Sequence, residues 1–340
     1  MKMVGKPAGQ PPAGERRAER KAGERPAGRP AENAMLMAGA ASLGVRSLID
    51  GPRRPASVIA AFPAVIYLEL RDPGPEPRVL ALVTPAAVRL PNAVVVTAGR
   101  TTDAASPDQG ARATPGRNQG SLAAIWAGGG ASVGDGIVLA GRIRVPVRRW
   151  WDPSPVLGPL SRGRLEHGCL LLEQAIAASA RRPGLDGHPG PAALASRCAA
   201  GDLAGAVEIA EGLVGLGPGL TPSGDDVLAG VLLSLRLLGG AIRGGTRAVW
   251  LADWLSSAVT SDAADRTTSV SATLLHCAAR GQAAAEVAAV LRAFAGQEPA
   301  GPAATRLLAA GHTSGADLAW GLAAGCRAAL ALSADLTGPV

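Results

Sequence analysis

The chain has 340 residues, of which 47% are apolar and 18% are charged, so the composition excludes wholesale disorder and predicts a sizeable buried core. Its aromatic residues are only six Trp, two Phe and one Tyr, which leaves little material for stacking nucleic-acid bases. Of the net charge of +7, residues 1–34 carry +4, and they also hold all three lysines. The absence of lysine from residues 35–340 excludes a pyridoxal-phosphate Schiff base and a P-loop lysine there.

Residues 1–34 contain ten Gly or Pro residues with charges scattered between them. Such a segment cannot bury enough apolar surface to offset its chain entropy, so we predict a disordered basic tail without a function of its own. The apolar sequence begins at Met35 and Met37, and either methionine is a candidate for the true start.

Residues 35–155 are predicted to form a β-rich domain, either a small barrel or a sandwich. Short runs rich in Val and Ile alternate with turn residues and predict strands at Ala64–Leu70, Val79–Thr84, Ala93–Thr97, Gly136–Ala140 and Arg142–Val147. Residues 100–121 form a polar segment with Gly and Pro, which predicts a loop or insertion.

Residues 156–335 are predicted to form a mostly α-helical domain. Runs rich in Ala and Leu recur at helical spacing and predict helices near 165–181, 191–199, 202–214, 224–238, 246–262, 268–280, 283–295 and 314–332. Strands first and helices second indicate an α+β fold with segregated elements rather than alternating βαβ units.

The strongest local motif is GLGPGLTPSGDD at residues 215–226. Its alternate glycines predict an open loop that a ligand can approach, and Ser223 is predicted to cap the helix that follows. A glycine-rich loop before a helix N-terminus predicts an anion site. Asp225 and Asp226 would repel a bare phosphate, so they fit better if Mg²⁺ lies between them and the anion. The alternative is that Ser223 and Asp226 only cap the helix.

A second motif has the same spacing 91 residues later. In the first motif, Ser223 to Asp226 have the pattern S-G-x-D, and Gly230 follows in the predicted helix. Ser314 to Asp317 have the same pattern, followed by Gly321. A glycine within a helix costs about 1 kcal/mol relative to alanine, so both glycines indicate a close helix crossing or a ligand contact. The pair predicts two helix N-termini that face one pocket; chance and ordinary capping are the alternative.

Hydroxyl groups cluster at residues 267–271, where Thr268 and Ser269 begin a predicted helix and would donate hydrogen bonds to an anion. A capped surface helix is the alternative. His312 precedes the second motif and is a candidate for substrate contact, whereas His276 lies in an apolar stretch typical of a core residue. The sequence contains no HExxH motif and no CxxC motif.

Three motifs in this order, GLGPGLTPSGDD (215–226), TTSVSATLLHCAARG (267–281) and GHTSGADLAWG (311–321), resemble those of the AllH-type subunit of oxamate carbamoyltransferase. The β-rich part resembles the family more loosely, through GDGIVLAGRIRV (134–145) and WDPSP (151–155). The four scattered cysteines and the lack of a secretory apolar segment at the start predict a cytoplasmic protein. The resemblance implies a subunit in ureide (allantoin and oxalurate) catabolism. Together with an FdrA-like (AllF) and an AllG-type subunit, it would convert oxalurate and phosphate to oxamate and carbamoyl phosphate.

Under this hypothesis the catalytic candidates are Asp225, Asp226 and His312, and the two aspartates would hold Mg²⁺ or orient a ligand amine. The predicted contacts to a small anionic substrate are Gly217, Gly219, Thr221, Ser223, Gly224, Thr268, Ser269, Ser314, Gly315 and Asp317. Carbamoyl transfer depends mainly on positioning and oxyanion stabilisation, so no covalent nucleophile, nucleotide, nucleic acid or membrane is expected. The alternative function is a non-catalytic subunit that binds a small anion or regulates a metabolic complex.

Overall fold

The first half of the described chain is a closed β-barrel and the second half is helical. The computed structural model describes residues 35–71, 74, 76–98, 122–125 and 129–333. These described residues belong to one compact unit. The predicted tail at 1–34 and the predicted loop at 100–121 lie outside the described residues.

The barrel has eight strands in the order β1-β5-β4-β3-β2-β6-β7-β8, closed by pairing of β8 with β1. The pairs β1–β8 and β4–β5 are parallel, and the other neighbours are antiparallel. The strands are β1 Met35–Ser42, β2 Arg54–Ala61, β3 Val65–Leu70, β4 Val79–Val83, β5 Ala93–Ala98, β6 Ala131–Gly134, β7 Ile137–Ala140 and β8 Ile143–Trp151. Two short helices, α1 Arg46–Asp50 and α2 Leu122–Ile125, lie between strands.

Strand β4 joins the barrel to the helical half because both of its faces are buried. Leu80 and Leu82 pack in the barrel interior, whereas Ala81 and Val83 belong to a small apolar cluster outside it. The backbone N–H of Val79 donates to the hydroxyl of buried Thr273 in the helical half, at 3.2 Å. An uninterrupted apolar run is what a strand buried on both faces requires.

Ten helices follow the barrel within the described range. They are α3 Arg162–Ala178, α4 Pro189–Ala200, α5 Leu203–Leu213, α6 Ser223–Ala241, α7 Thr246–Ser261, α8 Ala263–Arg266, α9 Ser269–Ala279, α10 Ala285–Phe294, α11 Ala300–Leu308 and α12 Ser314–Ser333. Helix α6 is buried almost all around, as expected for a helix at the centre of a helical domain. None of the described helices is both long and apolar enough to cross a membrane.

Helices α6 and α12 cross where each has a glycine. A Cβ atom added to Gly321 would lie 2.2 Å from the carbonyl oxygen of Val227 and 3.1 Å from the Cα atom of Gly230. A Cβ atom added to Gly230 would lie 2.6 Å from the carbonyl oxygen of Leu318. The predicted close helix crossing at both glycines is therefore confirmed.

The predicted α+β fold is confirmed, and the barrel is the correct one of the two predicted β architectures. Strands β1, β2 and β6 and helices α1, α2, α8 and α11 were not predicted. Helix α6 ends at Ala241, three residues beyond the predicted end at residue 238. The predicted domain boundary at residue 155 stays a prediction.

Candidate functional site

The two motifs that share a spacing begin two helices whose N-termini lie side by side. The hydroxyl oxygens of Thr221 and Ser314 are 2.9 Å apart, and those of Ser223 and Thr313 are 3.5 Å apart. Further along, the hydroxyl of Ser234 in α6 donates to a carbonyl of α12 at 3.0 Å. The helices therefore run in the same direction, and the positive ends of their dipoles converge on one place.

The resemblance between the two motifs extends to their backbone contacts. Gly224 donates its N–H to the carbonyl of Leu216 at 2.8 Å, and Gly315 donates to the carbonyl of Ala310 at 3.0 Å. A Cβ atom on either glycine would lie 2.0 Å from a backbone carbonyl oxygen of the preceding helix. The units α5–α6 and α11–α12 thus share one local geometry. In both units the glycine N–H is used within the chain.

The two loops differ by three residues. Seven positions separate Leu216 from Ser223, whereas four separate the equivalent Ala310 from Ser314. In the longer loop Gly217 has φ +117°. Gly219 has φ +96°, and a Cβ atom there would contact nothing within 4 Å. The extra residues thus need the left-handed conformations that glycine adopts readily.

Asp225 is fixed by three hydrogen bonds. Its carboxylate accepts from the backbone N–H of Gly215 at 2.8 Å, from Thr267 Oγ1 at 2.5 Å and from Ser271 Oγ at 2.7 Å. The side chain is buried. Asp225 therefore joins the loop before α6 to the start of α9, which is a structural role. From the sequence, Asp225 and Asp226 had been given the same role.

Asp226 has a different environment although it is the next residue. It is buried and lines a cavity, and its Oδ2 atom has no hydrogen-bond partner. Burial raises the pKa of Asp226 well above that of an ordinary carboxyl. The hydroxyls of Ser314 and Thr221 act in the opposite direction, and the negative charges of Asp317 and Asp225 raise the pKa further. Asp226 therefore keeps its proton to a higher pH than an ordinary carboxyl does.

Asp317 is the counterpart of Asp226 in the second unit. It is fully buried, and its Oδ1 atom accepts the backbone N–H of Gly184 at 2.8 Å. Its Oδ2 atom has no hydrogen-bond partner. Burial raises the pKa of Asp317, opposed by its interactions with Ser223, Gly184 and Thr313. Each aspartate thus lies against the serine of the opposite helix and a threonine that precedes one of the two helices.

The cavity beside Asp226 has a volume of about 320 Å³ and lies between the barrel and the helices. Barrel residues such as Tyr67 line one side, and α6, α9, α10 and α12 line the other. Besides Asp226 Oδ2, the buried oxygens Gln282 Oε1 and Glu286 Oε2 of lining residues have no hydrogen-bond partner. The described residues that line the cavity include no Lys, Arg or His. It is an apolar cavity with several free acceptors.

The structure brings only part of the predicted site to this cavity. Thr221, Asp226 and Ser314 line it, whereas the other candidates do not. Those others are Gly217, Gly219, Ser223, Gly224, Asp225, Thr268, Ser269, His312, Gly315 and Asp317. The N-cap of α6 is Pro222, so the prediction that Ser223 caps this helix is wrong, and Ser223 is the first helical residue.

The remaining candidates have local roles. Thr268 caps α9 by accepting the N–H of Ser271 at 3.1 Å, and its hydroxyl donates to the carbonyl of Leu220 at 2.5 Å. Ser269 is the first residue of α9. The side chain of His312 is exposed, and its carbonyl accepts from Arg181 at 3.2 Å. His312 therefore does not line the cavity beside Asp226, and its contact with a substrate stays a prediction.

Sequence reasoning missed Gly184, Gln282 and Glu286. No local signal identifies Gly184, because its role arises from contact with residues 39 and 133 positions away. Gln282 and Glu286 follow the second family-like motif, which ends at residue 281, and could have been noticed only if the cavity's barrel side had been known. No group of three or more His, Cys, Asp or Glu within the described ranges is arranged to hold a metal ion.

Residues 213–326 match the model of a protein family described as oxamate carbamoyltransferase subunit AllH. Neither a curated protein nor a solved structure gave a match. The matched segment begins at the end of α5 and ends within α12, so it contains both aspartate sites and the glycine crossing. The resemblance inferred from the motifs is thus confirmed by a match of residues 213–326 to the AllH family model.

Proposed function

We propose that the chain is a subunit of an oxamate carbamoyltransferase complex and that the cavity beside Asp226 holds the ureido end of oxalurate. The observation that supports this most directly is that three residues lining the cavity each have a buried oxygen without a hydrogen-bond partner, namely Asp226 Oδ2, Gln282 Oε1 and Glu286 Oε2. A buried acceptor without a partner costs free energy, which a ligand that brings N–H groups would recover. Ureido and carbamoyl groups carry such donors.

Asp226 is the proposed catalytic acid. In the reaction, a phosphate oxygen forms a bond to the ureido carbonyl carbon of oxalurate, and the bond from that carbon to the oxamate nitrogen breaks. The departing nitrogen must take up a proton to leave as the neutral amide of oxamate. A carboxyl group whose pKa is raised by burial keeps its proton to higher pH than an ordinary carboxyl, and in this proposal it supplies that proton. Thr221 and Ser314 would hold its orientation.

The anionic parts of oxalurate and phosphate need positive charge from elsewhere, because the described cavity lining includes no cationic side chain. We propose that FdrA-like (AllF) and AllG-type partner subunits supply it where they cover the cavity. Mg²⁺ would be an alternative to the acid role, because only an ionised Asp226 would bind it, through the oxygen that has no hydrogen-bond partner. Asp225 fits a metal poorly because three donors already engage its carboxylate.

The test is reconstitution with both partner subunits, followed by oxalurate loss with and without phosphate. Asp226→Asn keeps the shape but removes the acid, so we expect turnover to fall by about 100-fold or more. Glu208→Gln makes the same chemical change at an exposed site and should leave turnover unchanged. Absence of phosphate-dependent turnover in the folded, complete complex would contradict the proposed function. Full activity of Asp226→Asn would support a non-catalytic, regulatory subunit instead.

A further inference from the structure

The site at Asp317 is already filled by the chain itself. Where Asp226 faces a cavity, its counterpart Asp317 faces the backbone amide of Gly184, whose N–H lies 2.8 Å from Asp317 Oδ1. Gly184 belongs to the connection between α3 and α4, outside the segment that matches the family model. The two sites therefore differ in their occupant rather than in their own residues.

The Gly184 peptide packs closely against the residues around Asp317. A Cβ atom on Gly184 would lie 2.1 Å from Ser223 Oγ and 3.4 Å from Thr313 Oγ1, so only glycine allows the backbone to reach Asp317 in this way. Asp317 is fully buried and still has one oxygen without a partner. The peptide satisfies one of the two carboxylate oxygens, so the site keeps unused hydrogen-bonding capacity.

We propose that the Asp317 site is a second ligand site of the same class as the Asp226 site, for a planar primary amide, and that the Gly184 peptide keeps it closed. A peptide group is itself a planar amide, and here its N–H donates to the carboxylate as the N–H of such a ligand would. This proposal depends on the proposed function in one respect, which is the identity of the ligand at the Asp226 site.

The segment that contains Gly184 borders an open volume, into which we expect it to move when a ligand binds. A second cavity of about 370 Å³ is lined by Pro183 and Leu185 on either side of the glycine, together with Trp320 of α12. The segment thus lies between a buried carboxylate and an open volume. An incoming amide would displace it towards that volume.

The first experiment compares oxamate with oxalate on the full-length chain assembled with both partner subunits, because the proposed function assigns to those subunits the positive charge that an anionic ligand needs. The two ions have similar size and shape, but oxamate has an NH₂ group where oxalate has an oxygen. We expect oxamate to bind at two sites, the second more weakly because the Gly184 peptide competes at an effective concentration on the order of millimolar. Amide hydrogen exchange at Gly184 should accelerate as the second site fills, and oxalate should produce neither effect.

The second experiment removes the competitor. Gly184→Val cannot occupy the same position, so the second oxamate site should become at least about tenfold tighter by titration calorimetry. Gly301→Val is the control, because a Cβ atom there meets nothing within 4 Å. If Gly184→Val does not fold, the exchange experiment on the unmodified chain decides the question.

Binding of oxamate at one site only, with unchanged exchange at Gly184, would overturn the second site. So would equal binding of oxalate and oxamate. These outcomes are separate from those of the proposed function: turnover by the complex with a single oxamate site rejects only the second site. Two oxamate sites in a chain whose complete complex has no turnover reject only the carbamoyltransferase.

Discussion

The Asp226 and Asp317 sites are built from the same parts but present them to different surroundings. In each site a buried aspartate in the first turn of a helix lies against the serine at the start of the other helix and a preceding threonine. At Asp226 the surroundings are a cavity shared with the barrel. At Asp317 they are the peptide of Gly184.

The difference shows that neighbouring segments, rather than the aspartate and its helix, decide whether such a site is open. The barrel and the loop around Thr221 leave space above Asp226, whereas the α3–α4 connection fills the space above Asp317. Asp225 and Asp226 are adjacent in the chain, and Asp226 and Asp317 occupy equivalent positions in two helices. In both pairs the two aspartates have different surroundings. Equal residue types acquire different roles according to which donors reach them.

The largest effect is expected from separating the two helices, since both sites depend on the crossing. In Gly321→Val the added side chain would meet the carbonyl oxygen of Val227, which lies 2.2 Å from the Cβ position. Because the obstacle is backbone, we expect the free energy of unfolding to fall by about 3 kcal/mol or more, measured by urea denaturation. Gly212→Val in α5, where a Cβ atom meets nothing within 4 Å, should change stability little. Equal stability of the two variants would show that the crossing is not as close as described.

A smaller effect is expected from substituting the two adjacent aspartates. Asp225→Ala should mainly lower stability, whereas Asp226→Ala should mainly lower turnover. Asp225→Ala leaves one backbone N–H and two hydroxyls without their acceptor, so we expect a loss of about 2–3 kcal/mol in the free energy of unfolding. Asp226→Ala removes a buried carboxyl with a free oxygen and should cost much less, yet abolish turnover of the complex. Chemical denaturation of both variants measures the first difference. Similar losses of stability would contradict the separation of structural and functional roles.

The sequence predicted the repeated motif, the two helix N-termini and the close crossing, because these depend on local spacing. Glycines within apolar helices at matching positions have few explanations other than a close contact. The uninterrupted apolar run of β4 likewise predicted a strand from a local pattern alone. Strands β1 and β2 were missed because they are rich in Ala, Gly and Pro, and they are held as strands by the neighbours with which the barrel closes.

The roles within the site could not be predicted because they depend on contacts between distant residues. Asp225 and Asp226 are equivalent in a sequence, and only the donors on Thr267 and Ser271 distinguish them. The predicted glycine N–H donors at Gly224 and Gly315 are engaged by carbonyls before each helix. Gly184 contributes to the Asp317 site from another helical connection.

The smallest predicted effect is the change in the free energy of unfolding per pH unit that results from the proton on Asp226. Its pKa is raised in the folded state, so the folded chain binds this proton more tightly than the unfolded chain does. The contribution to stability is therefore fully present below the ordinary carboxyl pKa of about 4 and is lost as pH rises towards the raised value. Asp226→Asn cannot titrate at this position. Relative to the unmodified chain it should gain up to about 1.4 kcal/mol in the free energy of unfolding for each pH unit above about 4.

Asp317 and Asp225 are the charged groups that act on Asp226, and the substitution also removes the repulsion between Asp226 and them. That repulsion contributes in the same direction, because it too grows as the carboxyls ionise. Glu208→Gln, at an exposed position, should follow the pH dependence of the unmodified chain. If the stability difference between Asp226→Asn and the unmodified chain were constant from pH 4 to 8, Asp226 would be charged throughout. It could not then be the acid that protonates the leaving nitrogen, and the distinction between the open site and its closed counterpart would rest on space alone.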